Sequence, residues 1–260
     1  MSEVLQVERD DRDVVTVTFN RPEVKNAFDS ELMGKLADTA QALAGDQSVR
    51  ALVLTGAGSA FSAGADLNWM ASMAGYSYEE NVADSGRFEA MLRAVRDFPA
   101  PVLARVNGHA IAGASGLLGC VDIAIAVRGA RFGFTEAKLG LVPAMISAYV
   151  LPRIGLTNAH RYLLTGELFD ADRALAIGLV HDVCDPEDLD EVFGRVLDEV
   201  LAAAPGAQRE VKRLIATVAA ATDPRNTEQL RIETISRART GDEAQQRIRA
   251  FFERKTGTNR

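Results

Sequence analysis

The chain has 260 residues, of which 47% are hydrophobic and 25% charged, and its net charge is −7. This composition is typical of a globular protein, and the acidic balance argues against nucleic acid as a partner, because contacts to phosphates require a basic excess. No apolar stretch reaches the roughly 20 residues that a bilayer span needs, and the acidic N-terminus does not resemble a secretory signal. We therefore expect a cytoplasmic protein that binds neither nucleic acid nor membranes.

The small number of cysteine and histidine residues limits the possible disulfides and metal sites. Cys120 and Cys184 are the only cysteines, and there are three histidines. These residues provide neither a disulfide framework nor the spacing of metal ligands. We expect two reduced thiols and no bound metal.

Up to about residue 150, strand-like segments alternate with helical patterns, which predicts an α/β fold. A helix is expected after residue 29, with Asp29 or Ser30 as its N-cap, and a second one over residues 88–98. The predicted strands, all rich in Val, Ile, Ala or Thr, are residues 14–19, 50–56, 101–106 and 122–127.

Beyond residue 157 the pattern is mainly helical, and amphipathic stretches follow one another from residue 186 to about residue 252. A helical tail of this kind buries its apolar side chains either on the α/β body or on a second subunit. We place a boundary between an α/β core, residues 1–195, and a C-terminal helical region, residues 196–260.

Two common site motifs are incomplete in this chain. A dinucleotide loop in LVLTGAGSAF would need a glycine where Phe61 stands. Neither Ser62 nor Ser115 has the paired glycines of a serine-hydrolase elbow. Both departures argue against these two classes of site.

Three unusual segments remain: AFSAGADLNWM (60–70), GHAIAGASGLLGCVDIA (108–124) and ARFGFTEAKLGLVPA (130–144). Taken singly, their glycines can turn the chain or let a helix approach a sheet closely, and Glu136 can be an exposed carboxylate. Taken together with FNRPEVKNAF (19–28) and YLLTGELFDADRALAIGLVHDV (162–183), they resemble the crotonase family, the enoyl-CoA hydratase/isomerase superfamily, along nearly the whole chain.

The resemblance implies a crotonase-type spiral of ββα repeats, with the C-terminal helical region acting in trimerisation of a homotrimer or a dimer of trimers. It assigns the main-chain amides of Ala65 and Gly113 to the thioester oxygen of an acyl-CoA substrate, where enolate charge develops. A backbone amide reaches a ligand only where side chains do not intervene. We therefore interpret the small residues at 107–116 as room for the substrate.

The resemblance also implies where coenzyme A lies, as part of the substrate and not as a separate cofactor. Lys25 is expected to reach a CoA phosphate. Phe251 and Lys255 are expected to touch the CoA of a neighbouring subunit. The remaining CoA contacts are expected from Ala63, Ala65, Asp66, Leu67, Asn68 and Gly113.

The chain departs from the family at one catalytic position. Most hydratases of this family use two glutamates, whereas here Gly116 occupies the first position and Glu136 the second. Glu136 is therefore the expected general acid/base. One carboxylate is enough to move a proton between carbons, so a Δ3–Δ2 enoyl-CoA isomerase stays open beside a hydratase. A non-catalytic acyl-CoA binder stays open as well.

Residues 64–81 and 143–155, together with Gly116, resemble a bacterial subgroup that hydrates methylglutaconyl-CoA and related branched glutaconyl-CoA thioesters in leucine or terpene breakdown. We therefore expect a hydratase for a branched glutaconyl-CoA, in which Glu136 acts on a water molecule. The second carboxylate of such a substrate needs a donor. Ser147 and Tyr149 are candidates, although helix packing explains Tyr149 equally well.

Overall fold

The computed structural model describes residues 3–257, with side chains through residue 254. The chain divides after Asp198 into two compact units. The division falls inside a helix, beyond the boundary at residue 195 that we set from the sequence. No helix in the described part combines the length and apolar character needed to cross a membrane.

The strands of the described residues are β1 (Leu5–Arg9), β2 (Val14–Phe19), β3 (Ala51–Gly56), β4 (Ala60–Ser62), β5 (Val102–Val106), β6 (His109–Ile111), β7 (Ile123–Val127), β8 (Arg131–Gly133), β9 (Phe169–Asp170) and β10 (Asp182–Cys184). The α-helices are α1 (Ser30–Ala44), α2 (Leu67–Met73), α3 (Tyr78–Arg96), α4 (Gly113–Leu118), α5 (Ala144–Thr165), α6 (Ala171–Ala176), α7 (Leu189–Ala202), α8 (Pro205–Ala220), α9 (Glu228–Thr240) and α10 (Asp242–Gly257).

A six-stranded sheet in the order β1-β2-β3-β5-β7-β10 forms the centre of the first unit. β1 is antiparallel to β2, and the other neighbours are parallel. Val17, Leu54 and Leu103 are fully buried, because parallel strands are covered on both faces and read as continuous apolar runs. All four predicted strands lie in this sheet, with ends within one residue of the prediction.

Helices α1 and α3 pack against each other and have clear start signals. Asp29 accepts a 2.9 Å hydrogen bond from the amide of Leu32 at the start of α1. Ser77 and Glu80 form a reciprocal capping box at the start of α3. The capping prediction for Asp29 is confirmed, whereas the predicted second helix starts ten residues earlier than its apolar pattern showed, at Tyr78.

A second sheet in the order β4-β6-β8-β9 is built from strands of two or three residues. β4, β6 and β8 are mutually parallel, so their carboxyl ends lie at the same edge. None of these short strands was predicted from the sequence. The α/β class and the helical C-terminal region were predicted correctly.

Candidate active site

The three predicted catalytic positions lie in segments that follow the parallel strands of the small sheet. Ala65 follows β4, Gly113 follows β6 and Glu136 follows β8, each within three residues of the strand end. The register pairs Ala60 with His109 in β4 and β6. Equivalent ends of adjacent parallel strands are neighbours in space. The small sheet therefore brings the three predicted catalytic positions to one edge.

The two loops that carry the predicted amides are in close contact. A Cβ atom at Gly64 would lie 2.7 Å from the carbonyl oxygen of Ile111 and 3.3 Å from the Cβ of Ala112. Gly64 also has a φ of 88°, in the left-handed region that favours glycine. Glycine at this position is thus required both by conformation and by the approach of the neighbouring loop.

The amide of Ala65 is directed by a short parallel bridge to Phe28. The amide of Phe28 donates a 2.6 Å hydrogen bond to Gly64 O, and the amide of Asp66 donates a 2.8 Å hydrogen bond to Phe28 O. In this pairing the intervening amide of Ala65 points away from Phe28. Among the hydrogen bonds of residues 3–257, none has that amide as its donor.

The amide of Gly113 opens α4. The preceding residue, Ala112, has φ 49° and ψ −118°, a conformation that costs a non-glycine residue about 1–3 kcal/mol. Its own amide is held by a 2.7 Å hydrogen bond to Gly133 O. Ser115 adds a second tie, because its hydroxyl donates to Ala110 O at 2.6 Å and accepts from the Gly133 amide at 3.2 Å.

These ties hold the start of α4 against β6 and β8. Within the described residues, the Gly113 amide donates no hydrogen bond, as expected for the first residue of a helix. The strained backbone before Gly113 and the ties around it leave this N–H available to a ligand, which is the arrangement that an oxyanion site needs.

Glu136 begins a 3-10 helix, Glu136–Leu139. Its Oε2 atom is buried and, within the described residues, has no hydrogen-bond partner. Burial raises the pKa of Glu136 above its ordinary value of 4.5, against a smaller opposing effect of its own amide. A buried carboxylate oxygen without a partner is unusual, and this one is suited to take up a proton.

Gly116 is required for a different reason from the one that we expected from the sequence. A Cβ atom at Gly116 would lie 2.1 Å from Cγ2 of Ile146. One at Gly119 would lie 3.0 Å from the backbone of Tyr149. These two glycines let α5 pack closely on α4, and the side chain of Ile146 occupies the space beside the missing glutamate. The interpretation of residues 107–116 as room for substrate is therefore wrong at Gly116.

Gly113 has a neighbour of its own. A Cβ atom there would lie 2.9 Å from Cζ of Phe88, on α3. Phe88 and Ile146 thus contact α4 from two different helices.

The two proposed donors for a substrate carboxylate are already engaged. The hydroxyl of Ser147 donates a 2.7 Å hydrogen bond to Ala144 O. The hydroxyl of Tyr149 donates a 2.5 Å hydrogen bond to Oε1 of Glu89, and burial together with this carboxylate raises the pKa of Tyr149. Each hydroxyl therefore already donates its one proton within the protein.

The predicted CoA segment is held beside Lys25. The amide of Ala63 donates a 2.9 Å hydrogen bond to Lys25 O, and Lys25 is exposed with a left-handed φ of 53°. Asp66 is buried and serves as the N-cap of α2, so its side chain is not available to CoA. The next two residues of the segment, Leu67 and Asn68, are exposed.

The remaining predicted CoA residues lie in the second unit. Phe251 is 50% exposed and packs edge-on against Phe252, with ring centroids 5.6 Å apart. Lys255 lies within α10, but its side chain is outside the described residues. Among the residues that the structure describes, no group of His, Cys, Asp or Glu is arranged to hold a metal ion.

Several site residues were missed from the sequence. Arg21 and Asn26 support the Ala65 loop: Asn26, fully buried, donates to Ala57 O and Ala60 O, both at 2.8 Å. Trp69 has an indole Nε1 that is buried and has no partner in the described part of the chain. The FNRPEVKNAF segment contains both Arg21 and Asn26, but half of its residues are polar, so its pattern does not show which side chains are buried.

Comparisons with known proteins identify the family and the fold. The family profile described as enoyl-CoA hydratase/isomerase matches residues 9–258. A crystal structure of an enoyl-CoA hydratase from Shewanella pealeana superposes with a TM-score of 0.92 at 36% identity, covering 97% of this chain and 94% of that one. These matches confirm the predicted fold class.

Two sequence relatives differ in their named reactions. The short-chain-enoyl-CoA hydratase of Clostridium acetobutylicum is 33% identical over 208 residues, 78% of this chain and 77% of the relative. The 1,2-epoxyphenylacetyl-CoA isomerase of Escherichia coli is 36% identical over 182 residues, 69% of each chain. The small-sheet geometry and these matches lead to one conclusion: the chain belongs to the enoyl-CoA hydratase/isomerase family.

Proposed function

We propose that this protein is an enoyl-CoA hydratase that uses the amides of Ala65 and Gly113 as its oxyanion site and Glu136 as its single acid/base. The observation that carries the proposal is a set of polar groups without a partner among residues 3–257, two amides and one buried carboxylate oxygen, in segments that follow three parallel strands at one edge of the small sheet. Groups left without partners at such a place are complementary to a reaction that moves a proton and creates an oxyanion.

In the forward reaction, Glu136 accepts a proton from water while the water oxygen forms a bond to C3 of the 2-enoyl thioester. The C2–C3 π electrons move toward the thioester oxygen, and the amides of Ala65 and Gly113 stabilise the resulting enolate. Protonated Glu136 then returns its proton to C2. The sum is the addition of one water molecule, and the chemistry requires no cofactor beyond the CoA thioester.

The first test is Glu136→Gln. We expect hydration of a short 2-enoyl-CoA to fall by about 10²–10⁴-fold, with CoA affinity nearly unchanged, because the amide keeps the shape and loses the base. Chromatography of the hydroxyacyl product and calorimetric titration with CoA measure the two effects. A fully active variant would overturn the role of Glu136.

One observation favours a Δ3–Δ2 isomerase as the second candidate. Ile146 packs against Gly116, so a second carboxylate has no room at that position, and transfer of a proton between C2 and C4 needs only one. Incubation with 2-enoyl-CoA and 3-enoyl-CoA in deuterated water separates the two: a hydratase gives a hydroxyacyl product, and an isomerase gives a deuterated enoyl product. Tight acyl-CoA binding without turnover of either substrate would instead indicate a non-catalytic binder.

The finer substrate proposal is a branched glutaconyl-CoA of the methylglutaconyl type, supported by the resemblance of residues 64–81 and 143–155. Its second carboxylate needs a donor, and Ser147 and Tyr149 are engaged. The indole Nε1 of Trp69, a buried donor without a partner in residues 3–257, is the better candidate. Buried indole N–H groups usually have a hydrogen-bond partner.

Trp69→Phe tests this substrate. We expect the KM for a methylglutaconyl-CoA to rise by about 10- to 150-fold, because one hydrogen bond to a charged group contributes about 1.5–3 kcal/mol. The KM for crotonyl-CoA, which lacks the second carboxylate, should change little. An equal change for both substrates would argue against a carboxylate partner for Trp69.

Two further parts of the proposal concern the assembly and the cell. We propose a homotrimer or a dimer of trimers, in which Phe251 and Lys255 contact the CoA bound to a neighbouring subunit. Lys25 would bind a CoA phosphate, which its exposure permits. We also propose a cytoplasmic location, consistent with two buried free thiols, Cys120 and Cys184.

A further inference from the structure

Arg21, two residues after the end of β2, has an unusual set of contacts. Its side chain is only 16% exposed. Nη1 donates a 2.6 Å hydrogen bond to Ala27 O and lies 2.9 Å from Asp29 Oδ2, whereas Nη2 donates a 2.9 Å hydrogen bond to Asp66 Oδ2. One planar guanidinium therefore holds three acceptors from two separate loops.

These acceptors flank the bridge that directs the Ala65 amide. Ala27 and Asp29 lie on either side of Phe28, and Asp66 follows Ala65. Phe28 and Ala65 are the two residues paired in the bridge. Arg21 thus connects the two segments that form the bridge through residues next to Phe28 and Ala65. Rotation of either segment would break at least one of the Arg21 contacts.

Both carboxylate oxygens of Asp66 accept hydrogen bonds in this arrangement. Its Oδ1 accepts from the amides of Asn68 at 2.8 Å and Trp69 at 3.2 Å, and Oδ2 accepts from Arg21. Burial alone would raise the pKa of Asp66, but the hydrogen bonds from Trp69, Asn68 and Arg21 outweigh it and the pKa is lowered. The carboxylate is therefore ionised and bound on both oxygens, with Arg21 as its charged partner.

We propose that Arg21 is a positioning residue for the oxyanion site: through Asp66 and Asp29 it holds the Ala65 amide in the direction that meets the thioester oxygen. The inference rests on the proposed function of that amide. A misdirected donor binds the ground-state carbonyl almost as well as a correctly directed one, but it stabilises the developing oxyanion less. Its loss of direction should therefore lower kcat and leave KM nearly unchanged.

The test compares Arg21→Lys with Arg128→Met. Lysine keeps the charge but cannot reach several acceptors in fixed directions. Arg128 also bridges two aspartates, Asp172 at 2.8 Å and Asp185 at 2.9 Å, but on the exposed surface, so it controls for the loss of a two-carboxylate ion pair. Asp66→Asn is the second variant, because it keeps an oxygen for the N-cap and loses the charge facing Arg21.

Two readouts separate positioning from folding. Steady-state kinetics at a temperature well below unfolding should show a kcat lowered by about 10- to 100-fold in Arg21→Lys, with KM nearly unchanged. Binding of a 3-oxoacyl-CoA, whose enolate absorbs in the near ultraviolet, should show a bound enolate fraction that falls in parallel. Asp66→Asn should behave similarly, and Arg128→Met should match the wild type in both readouts.

Each remaining outcome has a distinct meaning. If the wild type turns over substrate and Arg21→Lys keeps the same kcat and the same enolate fraction, the positioning role is overturned. If Arg21→Lys does not fold, the same comparison made on Asp66→Asn decides the inference. If the wild type itself neither turns over enoyl-CoA nor stabilises the enolate, the proposed function fails first.

Discussion

At the scale of single residues, Glu136 combines a chemical use with an energetic cost. Its buried Oε2 lacks a partner in the described structure, and burial raises its pKa. A carboxyl group with a raised pKa binds its proton more tightly in the folded state than in the unfolded state. Its contribution to stability is therefore present at low pH and is lost as pH rises from the ordinary carboxyl pKa through the raised one.

Glu136→Gln should consequently stabilise the fold at neutral pH. The free energy of unfolding of the variant, minus that of the wild type, should grow across this pH window and then stay constant, because glutamine has no charge to bury. Urea unfolding at a series of pH values measures it. Glu167→Gln is the matched control with the opposite sign, because a hydrogen bond from Arg161 lowers the pKa of Glu167. A pH-independent difference for Glu136→Gln would contradict the raised pKa.

The same shift predicts the acid limb of activity. Glu136 must be ionised to accept a proton from water, so kcat/KM should fall on acidification at a higher pH than an exposed carboxylate would give. A pH profile of hydration at low substrate concentration checks this. An acid limb at or below the ordinary glutamate pKa of 4.5 would show that another group controls the rate.

How much of the site was visible in the sequence also differs from residue to residue. Glu136, Ala65 and Gly113 stand in ordered segments whose resemblance to a family identified them. Ile146 was not identified as the residue that fills the space beside Gly116, because a single apolar side chain in a helix has many possible neighbours. Arg21 was missed for a similar reason: its three acceptors come together only when two loops pair.

At the scale of elements, the close packing of α4 on α5 explains two glycines of GASGLLG, Gly116 and Gly119. Glycine costs helix propensity, and α4 accepts that cost because a side chain at 116 would overlap Ile146. The contact is therefore a matched pair, in which a small residue on one helix receives a large one on the other.

Gly116→Ala should destabilise the protein by about 1–3 kcal/mol, the range for an overpacked core. Gly116→Ala should cost less in an Ile146→Ala background, because alanine lacks the Cγ2 atom that would lie 2.1 Å from the added Cβ. Urea unfolding of the single and double variants measures this. Gly34→Ala in α1 is the control: no atom lies within 4 Å of its added Cβ, so a gain of up to about 1 kcal/mol is expected from helix propensity alone. A neutral Gly116→Ala would contradict the packing.

Element prediction succeeded where patterns were long and failed where they were short. Strands of five or six residues, such as β2 and β3, have enough apolar residues to be recognised. β4, β6 and β8 have three residues each, too few for any periodicity, although they form the edge that carries the candidate site. α5 begins at Ala144, well before the helical pattern seen after residue 157, and Gly155, with a φ of 73°, interrupts it.

At the scale of the whole molecule, the second unit leaves apolar side chains exposed. On α10, Ile248, Phe251 and Phe252 recur at helical spacing and are 45%, 50% and 59% exposed. On α9, Ile232 and Ile235 are 51% and 49% exposed. Apolar stripes of this kind are candidate surfaces for the subunit contacts of the proposed trimer. The sequence showed the amphipathic helices but not which of their faces would remain exposed.

We therefore expect light scattering to give a mass of three or six times the 28.0 kDa chain. Ile248→Glu should lower this mass, because it introduces a charge into the apolar stripe. Arg249→Gln, on a residue that is exposed beside the stripe, should leave it unchanged. A monomeric wild type would contradict the proposed assembly.

Complementation tests whether Phe251 acts on the CoA of a neighbouring subunit. Phe251→Ala should raise KM by weakening CoA binding, and Glu136→Gln should remove turnover. In mixed oligomers, formed by refolding equal amounts of both variants together, about a quarter of the sites should combine an intact Glu136 with an intact Phe251 from the adjacent chain. Activity at low substrate concentration should then exceed that of either variant alone. If Phe251 contacts the CoA bound by its own chain, no mixed site is restored, and the mixture shows only the average of its parts.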